Sequence, residues 1–230
     1  TPTHACRRLF PRVERILAEM DALTHEPQVF RPSHIKRIFR VMLHEQLFLA
    51  HFADVFREVR RLAPGVSIVI EAVSDAGHEA LKTGELDAMI FPMTDNVSPD
   101  IKAQFLATCD FDILMRTNHP WLTEVNRDGT RAPGGLDHWI FKGKLPEQHT
   151  ALWCPYVQAA TELLPESDLT MVVYSPLARE LCRRGGLTAL SLVSLGCGYP
   201  LGFLRHGRRD DDPALEWLRA VFVSCFNQKH

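Results

Sequence analysis

The apolar residues between Phe30 and Pro92 recur with a period that switches between two and 3.6, and this switch constrains the fold more than any other feature of the chain. It predicts strand, amphipathic helix, strand, short helix, glycine turn and strand, in that order. Parallel neighbouring strands need crossover connections, so the alternation predicts a parallel sheet covered by helices. Open α/β sheets bind ligands in the crevice beside the strand ends. The segment therefore predicts a ligand-binding α/β domain.

The predicted elements of this first region are a strand at 35–42, a helix at 46–63, a strand at 66–73, a short helix at 78–82 and a strand at 87–91. Ala63-Pro64-Gly65 ends the long helix, because proline and glycine cannot continue it. Seven apolar residues on one face of that helix are predicted to be buried, namely Leu47, Phe48, Phe52, Val55, Phe56, Val59 and Leu62.

The rest of the chain predicts a second, smaller set of elements and a return to the first. New strands are expected from Gln104 to Arg116, then an irregular stretch from Asn126 to Gly135. A helix at 156–164, a strand at 169–173 and a helix at 176–183 follow. The chain returns through 200–206 and ends in a helix at 213–226, for which Asp210 to Asp212 suit the N-terminus electrostatically.

Composition indicates a globular protein with no overall basic field. The 230 residues are 46% hydrophobic and 23% charged, with a formal net charge of −2, which argues against direct DNA binding by this chain. We expect neither a membrane span nor a signal peptide, and hence a cytoplasmic location. The six scattered cysteines form no CxxC pair and predict reduced, mostly buried thiols: Cys6, Cys109, Cys154, Cys182, Cys197 and Cys225.

Apolar residues near the N-terminus are spaced for one face of a helix: Leu9, Phe10, Val13, Ile16, Leu17, Met20 and Leu23. One interpretation is the end of a longer helix that begins before Thr1. The alternative is a helix that packs on the domain.

Catalytic signatures are missing from the sequence. The histidines show no HExxH spacing, no GxSxG elbow surrounds a serine, and no glycine-rich phosphate loop follows the first strand. We therefore expect no enzymatic activity, no metal site and no cofactor.

Several motifs in fixed order resemble the effector-binding half of LysR-type transcriptional regulators, closest to the branch of nodulation and aromatic-degradation regulators. They are Phe30 with Pro32, RIFRV, LAPGV, TGELDAMI, NHPWL at 118–122, SDLTMVV at 167–173, GLTAL at 186–190 and DDPALEWLRAVF at 211–222. They cover nearly the whole chain.

The resemblance implies a fold like that of type 2 periplasmic binding proteins: α/β, with two Rossmann-like subdomains joined by two hinge crossovers. Expected boundaries are 1–28 for the end of a linker helix, 29–100 with 201–230 for subdomain I and 101–200 for subdomain II. A winged helix-turn-helix, missing from this chain, would contact DNA. The expected function is ligand sensing in a homodimer or homotetramer assembled through subdomain I, with a stand-alone solute-binding protein as the alternative.

The resemblance also implies an effector site in the cleft. At the first strand-to-helix junction, Leu43 and His44 replace the family's small hydroxyl residue, and His44 either donates to the effector or caps the helix. Tyr156, after Pro155, either stacks on a ligand or packs in the core. The complete expected set is Leu43, His44, Gln46, Pro92, Thr94, Trp139, Phe141, Tyr156, Tyr199 and Pro200. Its aromatic members favour a flat, mostly apolar effector, aromatic or carboxylate, and a shortened segment between Phe141 and Pro155 changes one wall.

Overall fold

The computed structural model describes Val13, Leu17, Leu122, Gly196 and residues 30–93, 98–120, 156–193 and 198–227. The chain divides into two compact units, Thr1–Arg31 and Pro32–His230. In the first unit, Val13 and Leu17 are both helical and about half exposed. Their spacing of four residues places them on one face of the helix. The remaining residues of the predicted N-terminal helix lie outside the described part.

The second unit contains eight strands and five α-helices among its described residues. The strands are β1 (Arg37–Leu43), β2 (Val66–Glu71), β3 (Ala88–Pro92), β4 (Ile101–Cys109), β5 (Phe111–Arg116), β6 (Met171–Tyr174), β7 (Leu187–Ser191) and β8 (Tyr199–His206). The helices are α1 (Glu45–Leu62), α2 (Gly77–Thr83), α3 (Val157–Thr161), α4 (Ser175–Arg183) and α5 (Pro213–Asn227), with short 3-10 turns at Pro32–His34 and Gly207–Arg209.

Five strands form the first sheet in the order β2-β1-β3-β8-β4. The parallel part predicted from the sequence is present, because β1 pairs in parallel with both β2 and β3. The late strand β8 enters between β3 and β4 and runs antiparallel to both, so the sheet is mixed. The first sheet therefore combines the predicted parallel strands with a strand from near the end of the chain.

The second sheet has the order β6-β5-β7, and its described strands are antiparallel. We expected the second set of strands to begin at Gln104, and this is wrong for β4, which pairs along its length with β8 of the first sheet. The alternating pattern of a strand identifies the strand but not its neighbours, so the sequence could not assign it to a sheet. The change of sheet falls at Asp110, between β4 and β5.

The main core fills the space between the first sheet and helices α1 and α5, and extends to the second sheet. From α1 it receives Leu47, Ala50, Val55 and Val59, each at most 6% exposed. The prediction that Phe56 is buried is wrong, because its side chain is 46% exposed and stacks on Phe52 at 6.1 Å. His51, which has a polar ring, lies on the buried face of α1 instead.

Asp87, immediately before β3, connects several segments at the end of the first sheet where β1 begins. Its carboxylate accepts hydrogen bonds from Arg37, from Arg209 and from the backbone N–H of Arg40. Arg37 also pairs with Asp212 at 2.7 Å, ahead of α5. This network connects β1, β3 and the segment before α5 at the end of the sheet where β1 begins.

No helix in the described part of the chain has the length and apolarity to cross a membrane.

Candidate functional site

Four strand ends meet at one edge of the first sheet. The parallel pairing of Leu43 with Ile90 brings the carboxyl ends of β1 and β3 together. Antiparallel pairing sets Pro92 opposite Leu201, and the backbone N–H of Met93 donates to the carbonyl of Pro200 at 2.8 Å. The end of β4 pairs with the start of β8. This edge is where an open α/β sheet places its ligand crevice.

The chain crosses between the two sheets at this same edge. It leaves the first sheet at Asp110 and returns through Gly198 into β8. The two crossings touch, since a side chain at Gly198 would collide with the carboxylate of Asp110. On the second sheet, the N–H of Ser175 donates to the carbonyl of Asp110 at 2.9 Å, and its hydroxyl donates to Asp112 at 2.7 Å. These are the two hinge crossovers expected for the fold.

The first turn of α1 reaches from the first sheet to the elements of the second. Glu45 accepts a hydrogen bond from the backbone N–H of Val157 at 2.9 Å. Its carboxylate thereby caps the N-terminus of α3, although Glu45 belongs to α1. Gln46 accepts one from the N–H of Tyr174 at 2.6 Å, at the start of α4. His44 caps α1 itself, its Nδ1 accepting from the N–H of Gln46 at 3.3 Å.

A buried polar contact continues this connection one turn further along α1. The Nε2 of His51 lies 2.9 Å from the hydroxyl of Tyr174, and both residues are 1% exposed. The His51 ring also stacks on Phe226 of α5 at 4.0 Å. Tyr174 is thus held by α1 through its backbone and through its hydroxyl.

Cys109 and Tyr199 form a second pair at the crossings. Burial raises the pKa of the Cys109 thiol to about 12, and its hydrogen bond with Tyr199 works in the opposite direction. Burial also raises the pKa values of Tyr174 and Tyr199. All three groups are neutral at pH 7, and because Cys109 and Tyr174 are buried, Tyr199 is the member of this group that can offer a ligand an uncharged surface.

A small cavity remains between α1, α3 and α4. Its volume is about 70 Å³, and it is lined by Leu49, Val157, Gln158, Thr161, Leu177, Leu181 and Arg184. An engineered apolar cavity that binds benzene measures about 150 Å³. An aromatic ligand would therefore have to widen this space by separating α1 from α3 and α4.

The predicted site residues are partly brought together. Gln46, Pro92, Tyr199 and Pro200 lie at the crevice edge, and Tyr156, which is 66% exposed, precedes the Val157 that Glu45 contacts. His44 is an exposed cap, one of the two roles considered for it. The side chain of Leu43 lies in the main core, 2% exposed. Thr94, Trp139 and Phe141 lie outside the described residues, as does the segment between Phe141 and Pro155.

Sequence reasoning missed the residues that form the crossing. Asp110, at which the chain leaves the first sheet, was not singled out from the sequence. A signal was available, because Asp110 and Asp112 alternate with Cys109, Phe111 and Ile113 in an otherwise apolar strand pattern. A carboxylate in such a pattern needs a partner. For Tyr174 and His51, the sequence held no signal that they meet.

Comparison with known proteins identifies the family. The LysR substrate binding domain matches residues 32–225. Nodulation protein D 3 of Rhizobium meliloti (strain 1021) is 37% identical over 123 residues, which are 50% of this chain and 39% of that protein. Nodulation protein D 1 of the same strain is 33% identical over 91 residues, 40% of this chain and 30% of that protein. The chain therefore matches less than half of these relatives' length.

Solved structures share the fold. The regulatory domain of MexT, a transcriptional activator in Pseudomonas aeruginosa, superposes with a TM-score of 0.64 at 21% identity, covering 83% of this chain and 98% of that one. The reduced OxyR regulatory domain from the same organism gives a TM-score of 0.62 at 16% identity, covering 82% and 98%. The arrangement of two sheets and the match over residues 32–225 lead to one conclusion: the chain belongs to the LysR substrate binding domain family.

Proposed function

We propose that this chain is the ligand-sensing regulatory domain of a LysR-type transcription factor, and that a small aromatic or carboxylate effector binds in the cleft between the two sheets. The contact of the α1 N-terminus with the second sheet's elements carries this proposal. Glu45 and Gln46 join the two sides at this end of α1 by accepting hydrogen bonds from the backbone N–H groups of Val157 and Tyr174. A ligand can replace such polar contacts and so shift the relative position of the sheets.

We assign the effector site to the crevice edge and the facing start of α3. Its proposed members are His44, Gln46, Pro92, Thr94, Trp139, Phe141, Tyr156, Tyr199 and Pro200, without Leu43, whose side chain lies in the main core. Tyr156 offers an exposed aromatic face beside α3, and Tyr199 offers a second ring 5.6 Å from Phe111. Such rings favour a flat ligand with a small number of polar anchors.

We propose that α1 transmits the effector signal to an oligomer interface. The helix begins at the cleft, and further along it Phe48, Phe52 and Phe56 form a stacked row with centroid distances of 4.8 and 6.1 Å. Beside it, β2 is an edge strand of the first sheet. Edge strands and exposed aromatic side chains, here that of Phe56, are typical association surfaces. They support a homodimer or homotetramer assembled through the first sheet and α1.

In this proposal the effector changes transcription by changing the geometry of that oligomer. An effector shifts an equilibrium only when it prefers one arrangement over the other. DNA contact would come from a winged helix-turn-helix in a longer cytoplasmic protein, with 1–28 as the end of its linker helix. We propose that subdomain I comprises 29–100 and 201–230 together with β4, and that the remainder of 101–200 forms subdomain II, because the chain changes from one sheet to the other at Asp110.

A stand-alone solute-binding protein of the same fold is the second candidate. Both functions require ligand capture, so binding alone does not separate them. They differ in assembly, since effector-dependent change in an oligomer is required only of the regulator. The association state with and without a bound ligand, measured by sedimentation velocity, distinguishes the two.

A thermal-shift screen tests the sensing function. The panel consists of aromatic acids, phenolics, flavonoids and aliphatic carboxylates, because a ligand that binds only the folded state raises Tm by mass action. A ligand at 100 times its Kd stabilises by about 2.7 kcal/mol, which raises the Tm of a domain of this size by about 5 to 10 °C.

The variant Tyr156→Ala should lose most of that increase, because it removes the proposed stacking surface. Leu163→Ala is the matched control, since Leu163 is 47% exposed and follows α3. Its Tm increase should equal that of the unmodified chain. A panel in which no compound raises Tm would contradict the proposed function.

A further inference from the structure

We propose that Glu45 makes the cleft select effectors by their charge, so that the cleft accepts uncharged or cationic ligands and rejects carboxylates. The inference rests on the proposed effector cleft and narrows its ligand class. It assigns a specificity-determining role to one residue, which the geometry of the α1 N-terminus supports.

The carboxylate of Glu45 already fills an acceptor position between α1 and the start of α3. Its Oε2 accepts the hydrogen bond from Val157, the first residue of α3, at 2.9 Å. Val157 is 5% exposed, so its N–H is shielded from water and depends on this acceptor. A carboxylate ligand would have to compete with a tethered carboxylate for the same donor.

The neighbouring backbone donors are matched as well. The N–H of Tyr174 is bonded to the side-chain oxygen of Gln46 at 2.6 Å. The N–H of Gln46, in the first turn of α1, is bonded to the ring of His44. Three donors at this junction thus have acceptors from the chain itself. A ligand that brings hydrogen-bond donors, or an apolar ring, fits this surface better than one that brings further acceptors.

The charge of Glu45 has little local compensation. Among the residues that the structure describes, no Lys, Arg or His forms an ion pair with Glu45. Arg184 lines the small cavity beside α1, but it already pairs with Glu180 at 3.7 Å and its side chain is 62% exposed. Like charges a few ångströms apart at a half-buried site repel strongly enough to change affinity by about tenfold or more.

The test uses matched pairs of probes that differ in charge but hardly in shape: benzoate and benzamide, 4-hydroxybenzoate and 4-hydroxybenzamide, cinnamate and cinnamamide. Their Kd values are measured by calorimetry at pH 7 with the 230-residue chain and with Glu45→Gln. The glutamine can still accept from Val157 and removes only the charge. Glu79→Gln is the control for net charge, because the Glu79 side chain on α2 is 71% exposed.

The unmodified chain and Glu79→Gln should bind each amide at least about tenfold more tightly than the corresponding acid. In Glu45→Gln this preference should fall by about tenfold, with the same unliganded Tm. Acids and amides that bind the unmodified chain equally, or a preference that Glu45→Gln leaves unchanged, would overturn the role of Glu45 while leaving the cleft a ligand site. Six probes that bind none of the three proteins, after an empty thermal-shift screen, would overturn the cleft itself.

Discussion

At the scale of single residues, Arg205 shows how a buried charge is accommodated. Its side chain is 6% exposed and pairs with Asp210 at 3.2 Å and with Glu216 at 2.8 Å. Glu216 in turn pairs with Arg219 at 2.5 Å on α5. The hydrogen bond from Arg219, followed by that from Arg205, lowers the pKa of Glu216 from 4.5 to about 2 although burial opposes this. This cluster attaches the beginning of α5 to β8.

The lowered pKa of Glu216 predicts an acid-sensitive contribution to stability. The folded protein holds the carboxylate deprotonated more strongly than the unfolded chain does, so the contribution is complete above pH 4.5 and is lost as the pH falls towards 2. Urea unfolding between pH 7 and pH 2.5 should show a smaller acid-induced loss of stability in Glu216→Gln than in the unmodified chain. Glu79→Gln should keep the full loss, and equal losses in all three proteins would refute the prediction.

The sequence predicted contacts between residues that are close in the chain, but not contacts between residues that are far apart in the chain. His44 could be recognised as a possible cap because its partner, Gln46, is two residues away. The partner of Glu45 is 112 residues away, and no local pattern encodes such a distance. The sequence indicated only that a charge lay at the strand-to-helix junction. Its role became clear from which backbone N–H the carboxylate meets.

At the scale of elements, patterns predicted the five described α-helices and the strands from β1 to β6, but they did not predict β7 at Leu187–Ser191. The predicted helix at 46–63 is α1 at Glu45–Leu62, and the predicted final helix at 213–226 is α5 at Pro213–Asn227. Periodicity identifies an apolar stripe on a helix, but it does not show how much of that stripe neighbouring elements cover. It therefore wrongly placed Phe56 among the buried residues. It also left out His51, whose polar ring gains a partner in Tyr174.

At this scale, we predict that a side chain at Gly65, in the turn between α1 and β2, destabilises the fold. A Cβ atom at Gly65 would lie 2.5 Å from the backbone carbonyl oxygen of Ile35, in the segment that enters β1. Backbone cannot move away as a side chain can, so Gly65→Ala should destabilise the fold by about 1 to 3 kcal/mol. Denaturant unfolding at pH 7 measures the effect.

Gly84→Ala is the companion variant. Gly84 ends α2 with a φ of 83°, and the nearest atom to an added Cβ is 3.5 Å away on Arg209. It should cost about 1 kcal/mol through backbone conformation alone. If Gly65→Ala unfolds at the same denaturant concentration as the unmodified chain, the close approach to Ile35 does not constrain the turn.

At the scale of the whole molecule, the proposed assembly depends on the exposed side of α1. Phe56→Glu places a charge in the aromatic row without changing a buried residue. It should raise the Kd of the proposed homodimer by about tenfold or more and leave Tm of the dissociated domain within about 2 °C. Sedimentation velocity over a concentration series measures the association.

Leu163→Glu is the matched control for Phe56→Glu, since Leu163 has a similar exposure of 47% and lies beyond α3. It should associate like the unmodified chain. A chain that is monomeric before substitution, or a Phe56→Glu variant that associates as strongly as the control, would contradict the proposed interface.

The insertion of β8 between β3 and β4 has a consequence for folding. Met89 pairs with Leu204, so their separation of 204 − 89 = 115 residues must be closed before the first sheet is complete. Contacts between such distant residues raise contact order, and a high contact order slows folding. During synthesis the inner edges of β3 and β4 stay unpaired until residues 199–206 have emerged. Those edges are therefore the part of the nascent chain most open to mispairing with another molecule.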